Sequence, residues 1–192
     1  NTPKIIDSYF TNDIVALHRY HKRGIFSAIQ DGIKVARGNT VIIMDADFSH
    51  PPSKIQEMLK YIDDYDIVTG SRFAKKGGVE APFIRKSCTL LLNLVLRIFL
   101  FDLGVTDFTG GFHAIKRDKF LDIDFKYPPK WGEFDMELFY RAKKKGYKIK
   151  EIPFTYKYRE EGVSKSDNYL KYAYPYLKMA LQLRFGGKRN SV

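Results

Sequence analysis

A single cysteine, Cys88, stands in 192 residues, so neither a disulfide framework nor a paired-thiolate metal site is available. It lies in an apolar stretch, which reads as core packing in a reducing compartment. Long hydrophobic runs are lacking as well: a bilayer span needs about 18–20 uninterrupted apolar residues. The strongest run, Cys88 to Phe101, is shorter and carries Asn93 and Arg97. There is no initiating Met, signal-peptide pattern, internal repeat or low-complexity linker. Acidic residues are the minority. The 22 Asp+Glu against 33 Lys+Arg leave a net charge of +11, which calls for an anionic partner without choosing among nucleic acid, nucleotide, phospholipid and lipid phosphate. A 44% hydrophobic and 29% charged composition is ordinary for a globular chain and excludes disorder as the default.

What is present is most informative at Val41 to Pro52, VIIMDADFSHPP. A β-branched run, apolar on both faces, reads as a strand buried in a parallel sheet. It delivers Asp45 and Asp47 at its C-terminal end, the edge where ligands of such sheets bind. Two carboxylates two residues apart share one face of an extended chain, and a turn there lets both reach one cation. Oxygen ligands of this kind suit Mg²⁺ or Mn²⁺, which take waters and substrate phosphates as their remaining ligands.

Around that strand the pattern alternates. Pro3 to Phe10 reads as a helix end, Ile14 to Leu17 as a short strand, and Gly24 to Arg37 as an amphipathic helix stopped by Gly38. The strand Thr40 to Met44, the helix Ser53 to Asp63 and the strand Asp66 to Gly70 follow. This order predicts an α/β fold with a mostly parallel sheet flanked by helices and right-handed crossovers. Helices are expected again over Phe83 to Phe101, Phe134 to Lys145 and Asn168 to Phe185, with an extended Gly-containing segment over Thr106 to Ile115. Lys148 to Tyr158 alternates as a half-exposed strand. Phe73 to Pro82, Tyr127 to Gly132 and Arg159 to Asp167 read as loops placed to grip ligands.

Several cationic positions accompany the carboxylates. Arg72 ends the second strong strand. Arg159, Ser164 and Lys165 lie on one loop, where a guanidinium fork and an ammonium suit phosphate oxygens. The helix after Pro82 opens with Arg85 and Lys86 and shows Leu90, Leu91, Leu94, Val95, Ile98 and Phe99. Core packing and a membrane-interface position fit that face equally, as they do the Tyr- and Lys-bordered C-terminal helix. Asp107, Glu133, Asp135 and Glu137 form two acidic clusters. Asp135 and Glu137, two apart on a helix, cannot share a face. The histidines, His50 among them, read as structural.

DADFSHPP, the Gly70-Ser71-Arg72 step, Arg85 and Ser87 before an apolar helix, D-x-T-G-G-F from Asp107, and R-x-x-G-x-S-K from Arg159 resemble, in that order, the polyprenyl-phosphate glycosyltransferases of glycosyltransferase family 2. The resemblance runs from Asn1 to about Lys165. It implies the GT-A, nucleotide-diphospho-sugar transferase fold and inverting transfer of a hexose to dolichyl or another polyprenyl phosphate, mannose from GDP-mannose or, as the alternative, glucose from UDP-glucose. Carried over by position, Asp45 and Ala46 meet the diphosphate, and Asp47 ligates Mg²⁺ or Mn²⁺ with Asp45 and Ser49. Arg72, Arg159 and Lys165 hold the donor phosphates, with Asp47, Arg72 and Arg159 nearest the chemistry. Arg85, Ser87 and Lys165 take the acceptor phosphate. Ser49 stands where family members often have Gln, which implies a weaker or water-mediated ligand.

The family opens with strands carrying P-x-Y-N-E and D-D-x-S-x-D-x-T. Neither motif is in these residues, although Asn1 and Thr2 match the tail of the second. The expectation is therefore the C-terminal part of a catalytic domain over 1–165, not competent as an isolated piece, followed by an amphipathic interfacial helix and tail over 166–192. It places the protein peripherally on the cytosolic face of a membrane, in contact with the lipid surface or a membrane-anchoring subunit, and away from nucleic acid. Two readings of other classes compete. A haloacid-dehalogenase-type phosphatase would make Asp45 the nucleophile and Asp47 the acid/base, against which the proline pair stands. A non-enzymatic basic anion-binding module explains the charge but not the paired aspartates.

Overall fold

The computed structural model describes residues 2–9, 11, 13–20, 23–100, 103–127, 132–157 and 169–186. Their elements run α1 (Thr2–Ser8), α2 (Ile25–Val35), β1 (Thr40–Ile43), α3 (Lys54–Leu59), β2 (Ile67–Ser71), β3 (Gly78–Glu80) and α4 (Phe83–Phe99). Then come β4 (His113–Lys116), α5 (Arg117–Asp122), α6 (Phe134–Lys144), β5 (Ile149–Pro153), β6 (Thr155–Lys157) and α7 (Tyr169–Phe185).

The main sheet has the order β1-β4-β2-β5. β4 pairs antiparallel with β1, Ile43 opposite His113, and antiparallel with β2, Thr69 opposite His113. β2 and β5 pair in parallel, from Ile67 opposite Ile149 to Ser71 opposite Pro153. β1, β2 and β5 thus point one way, as expected for strands fed by crossover helices, and β4 enters between the first two in the opposite sense. β1 and β2 are not neighbours, yet their carboxyl ends lie at one edge. A small parallel sheet of β3 and β6 continues beyond it.

Alternation along the strands explains both faces. Val41, Ile67 and Ile115 look into a large core with Phe26 and Ile33 of α2, Leu92 and Leu96 of α4, and Phe134, Leu138 and Phe139 of α6. Val68, Ala114 and Ile152 look the other way, onto Met58 and Ile62 from the α3 region and onto Phe112 and Phe154. Because both faces are covered, β2 is buried at every position, which is why its sequence does not alternate.

Two expectations are corrected. Ile14 to Leu17 forms no strand: it joins no ladder, and Ile14, Val15 and Leu17 are 44%, 62% and 45% exposed, so its apolar side chains have no sheet face to cover. The segment read as a loop after Phe73 contains β3, and α5 follows β4 directly. On α7, Tyr176, Met179, Ala180 and Leu183 lie in the main core. In α4 the face toward the core is Leu92, Asn93 and Leu96, whereas Leu91, Leu94 and Ile98 are exposed. Cys88 is half-buried, with a free thiol. Among the described residues no helix is long and apolar enough to cross a membrane.

Gly70 shows how tightly the sheet edge closes. A Cβ there would stand 2.9 Å from Phe112 and 3.0 Å from Phe154. Gly70→Ala is expected to cost about 1–3 kcal/mol through overpacking, read as a lower urea midpoint at unchanged slope.

Candidate functional site

The loop leaving β1 carries the acidic pair. Asp45 is exposed and Asp47 half-buried. The turn is fixed locally: the Ser49 N–H donates to Asp47 Oδ1 at 3.1 Å, and the Asp45 N–H donates to His50 Nδ1 at 2.9 Å. Phe48 between them has φ 61°, a left-handed conformation that is rare and costly for a bulky residue and gathers at functional sites. Its ring is 82% exposed. Ser49 is 3% exposed, and its Oγ is a buried polar side-chain atom with no hydrogen-bond partner. A buried hydroxyl left unpaired costs about 1–3 kcal/mol. Two carboxylates and an orphan hydroxyl on one turn are hard oxygen donors of the kind Mg²⁺ and Mn²⁺ take, so the residues fit a divalent cation. Among the described residues no group of three or more His, Cys, Asp or Glu is placed to hold a metal ion by itself. The remaining ligands would be water and diphosphate.

At the end of β2, Arg72 lies under cover, its side chain 10% exposed against Asp107 at 0%. Arg72 N and Nε donate to Asp107 Oδ2 at 3.0 and 2.7 Å, and Nη2 donates to Oδ1 at 2.7 Å and to Thr109 Oγ1. Burial works against both charges, but each partner outweighs it: the guanidinium is held above its ordinary pKa and the Asp107 carboxyl below the usual carboxylate range. Arg72 Nε and Nη2 are engaged by Asp107 and Thr109, and Nη1 carries no hydrogen bond among the described residues.

The other acidic residues are also engaged. Glu137 accepts from the Lys126 and Tyr127 N–H groups and from Arg141 Nε. Asp135, 1% exposed, accepts the Gly111 N–H at 2.8 Å through Oδ2 and His113 Nε2 at 2.9 Å through Oδ1. As anticipated from their spacing, the two carboxylates point to different partners. His50 donates from Nε2 to the Gly110 carbonyl at 2.8 Å and stacks on Phe112, centroids 5.0 Å apart. With Nδ1 accepting and Nε2 donating it is the neutral tautomer. Burial, the largest influence, pushes its pKa below the ordinary value against the pull of Asp45. On α7, the Tyr172 and Tyr176 hydroxyls are 3.1 Å apart, and burial raises both pKa values.

The geometry thus gathers Asp45, Ala46, Asp47 and Ser49 on one loop and puts Arg72 at the same sheet edge. Arg85 and Ser87 are half-buried in the first turns of α4, and Arg159, Ser164 and Lys165 lie outside the described residues. Sequence reasoning missed His50, His113 and Asp135 as site-building groups. The one available signal was the position of His50 directly behind the carboxylates.

Residues 1–124 match the family model described as Glycosyl transferase family 2. The chain belongs to glycosyltransferase family 2. Polyprenol monophosphomannose synthase of Mycolicibacterium smegmatis is 34% identical over 155 residues, 78% of this chain and 58% of that protein. Dolichol-phosphate mannosyltransferase of Pyrococcus furiosus is 32% identical over 173 residues, 86% of this chain and 48% of that protein. Undecaprenyl-phosphate mannosyltransferase of Micrococcus luteus is 35% identical over 155 residues, 78% and 63%. The chain spans 48–63% of the length of these curated relatives. Glucosyl-3-phosphoglycerate synthase from Mycobacterium tuberculosis, solved with Mn²⁺, UDP and phosphoglyceric acid, shares the fold with a TM-score of 0.62 at 12% identity, over 85% of this chain and 55% of that one. The same enzyme with phosphoglyceric acid gives 0.65 at 14% identity, over 91% and 59%. The fold is GT-A, and neither the phosphatase nor the non-enzymatic reading survives family membership.

Asp107→Asn removes the counter-charge while leaving Arg72 buried, which is expected to cost about 3–5 kcal/mol. Because the folded-state pKa of Asp107 is depressed, its contribution is complete above the unfolded value of about 3.9 and disappears as pH falls through the lower folded value. Urea titrations of both proteins are expected to show a wide gap at pH 7 that narrows only in strongly acidic buffer.

Proposed function

We propose that this chain carries the catalytic centre of a metal-dependent inverting glycosyltransferase that moves mannose from GDP-mannose to dolichyl or another polyprenyl phosphate. The observation that carries the reading is the β1 turn, with Asp45, Asp47 and the orphan Ser49 hydroxyl, in a chain 32–35% identical to polyprenyl-phosphate mannosyltransferases. Asp47 would hold the ion, supported by Asp45 and Ser49. A bound divalent ion supplies Lewis-acid stabilisation of the charge that builds on the leaving nucleoside diphosphate.

The chain's own residues position and neutralise. The Ala46 region meets the donor diphosphate. The acceptor is a phosphate monoester with a second pKa of about 6, already largely a dianion at neutral pH. One of its oxygens attacks the anomeric carbon from the face opposite the leaving group; the new C–O bond forms as the bond to the donor diphosphate breaks, which inverts that centre. No proton has to be removed, in keeping with the engagement of Asp107, Asp135 and Glu137 elsewhere. Arg85, Ser87, Arg159 and Lys165 are assigned to the phosphates, with Arg72 presenting Nη1 at the edge.

Exposed Phe83, Ile84, Leu91, Leu94 and Ile98 on α4, and Tyr174, Leu181 and Phe185 on α7, support peripheral contact with the cytosolic face of a membrane. The neighbouring lysines and arginines complement anionic headgroups. A membrane-anchoring subunit would use the same side.

The test is transfer by the full-length protein, with Mg²⁺ or Mn²⁺, of mannose from GDP-mannose or glucose from UDP-glucose to a polyprenyl phosphate. Mannose transfer is expected. Glucose transfer instead would reassign the donor, and turnover of neither would overturn the reading. Asp47→Ala is expected to lower kcat/KM on the order of 10²–10³-fold, the loss typical when one transition-state stabiliser is removed.

A further inference from the structure

One peptide unit behind the acidic turn is gripped at both polar ends by buried side chains from two different elements. The Gly110 carbonyl accepts His50 Nε2–H at 2.8 Å, and the Gly111 N–H of the same peptide donates to Asp135 Oδ2 at 2.8 Å. From His50 the connection continues forward, since Nδ1 receives the Asp45 N–H at 2.9 Å. From Asp135 it continues backward through His113 to Thr69 Oγ1 on β2, at 2.9 Å in each step. His50, Thr69, His113 and Asp135 are each no more than 2% exposed. Gly111 has φ 67°, and the nearest atom to a Cβ placed there is the His50 ring at 3.6 Å, so ring and peptide are fitted to one another.

We propose that His50 and Asp135 are positioning residues that set the geometry of the Asp45–Ser49 cation turn through the Gly110–Gly111 peptide. The inference rests on the reading of that turn as the metal site. The physical need is clear at Phe48: a turn with an exposed aromatic at φ 61° does not hold itself, because nothing in its own sequence favours that conformation. Local support includes the Ser49-to-Asp47 bond. The bond from Asp45 to His50 closes the turn, and the ring is prevented from swinging by its stack on Phe112 and its edge contact with Phe154, centroids 5.0 and 5.7 Å away. His50 suits the task because a neutral imidazole accepts on one nitrogen while donating on the other. The carboxylate of Asp135 suits the opposite end because it only accepts, and it faces two donors.

Mn²⁺ titration of the full-length protein, followed by the electron paramagnetic resonance of free Mn²⁺ with and without GDP, tests this without relying on turnover. His50→Phe keeps the ring stack and deletes both hydrogen bonds; it is expected to weaken Mn²⁺ binding about 10–100-fold, the usual range for groups that orient ligands. His50→Gln offers one acceptor and one donor and is expected to stay within about threefold of wild type. Asp135→Asn acts on the same peptide from the other side, so its loss and that of His50→Phe should combine less than additively. It also reads the device should His50→Phe not fold. At saturating Mn²⁺ the variants should recover kcat, because the turn is loosened and not removed. Wild-type Mn²⁺ affinity in folded His50→Phe, or additive losses in the double variant, would overturn the inference while Asp47→Ala still abolished binding. Retained Mn²⁺ binding in Asp47→Ala would instead overturn the metal site itself.

Discussion

The structure depends on the direction of β4. Because it runs antiparallel between β1 and β2, the segment that precedes it, residues 106–112, arrives at the edge where those two strands end. A parallel strand would have brought its exit loop there and its entry loop to the far side. The arriving segment is held by most of its neighbours. Glu151 of β5 takes the Thr106 and Asp107 N–H groups, Asn93 of α4 takes the Phe108 N–H at 2.6 Å, and Asp107 grips Arg72 beyond β2. His50 and Asp135 hold the peptide at 110 and 111. Two glycines are needed there on steric grounds. Gly111 has a positive φ, and a Cβ on Gly110 would lie 3.2 Å from the Gly70 carbonyl.

This arrangement explains why so many ionisable groups are buried in a small domain. A buried ion pair is weak evidence of stability, since desolvation offsets most of the Coulomb gain. What such groups supply here is direction. Glu151 accepts the Thr106 and Asp107 N–H groups and Asp135 the Gly111 N–H, while Asp107, itself on that segment, accepts from Arg72 N, Nε and Nη2; each would lose partners if the segment moved. Apolar residues of the same volume could fill the space but would not choose among nearby backbone conformations. Among the described residues the buried Ser49 hydroxyl lacks a partner, and it lies on the turn that the rest of the network surrounds.

Much of the fold was legible in local pattern. β1, β2, α2, α4, α6 and α7 fall close to where periodicity and glycine stops placed them, and the paired aspartates end up at the end of β1. The antiparallel entry of β4 was not legible, because alternation of strands and helices says nothing about where a later strand inserts. Ile14 to Leu17 has the composition of a strand, but a strand exists only with a partner. The charge of Arg72 is visible in sequence, but its partner Asp107, 35 residues away, is not, because only the sheet brings the two together. His50 looked like an ordinary histidine for the same reason: its acceptor is a carbonyl 60 residues away, and backbone groups leave no mark on composition.

The two helices whose role composition left undecided each pack one face into the core and leave other apolar side chains exposed. Asn93, which in sequence breaks the apolar run, points inward, where Nδ2 reaches Thr89 and Thr109 and Oδ1 takes the Phe108 N–H. Arg184 likewise lies along Phe99, with its charged carbon 5.3 Å from the ring centroid, and donates to the Phe99 carbonyl at the α4 end. The polar groups that argue against burial are thus spent joining α4 to the 106–112 segment and to α7. Leu92 and Leu96 face the core beside Asn93, while Leu91, Leu94 and Ile98 face outward. A helix whose inner face carries hydrogen bonds to the site and whose outer face is apolar links the place where a lipid chain would lie to the place where its phosphate would react, so under the function proposed above the acceptor would meet both through one rigid element.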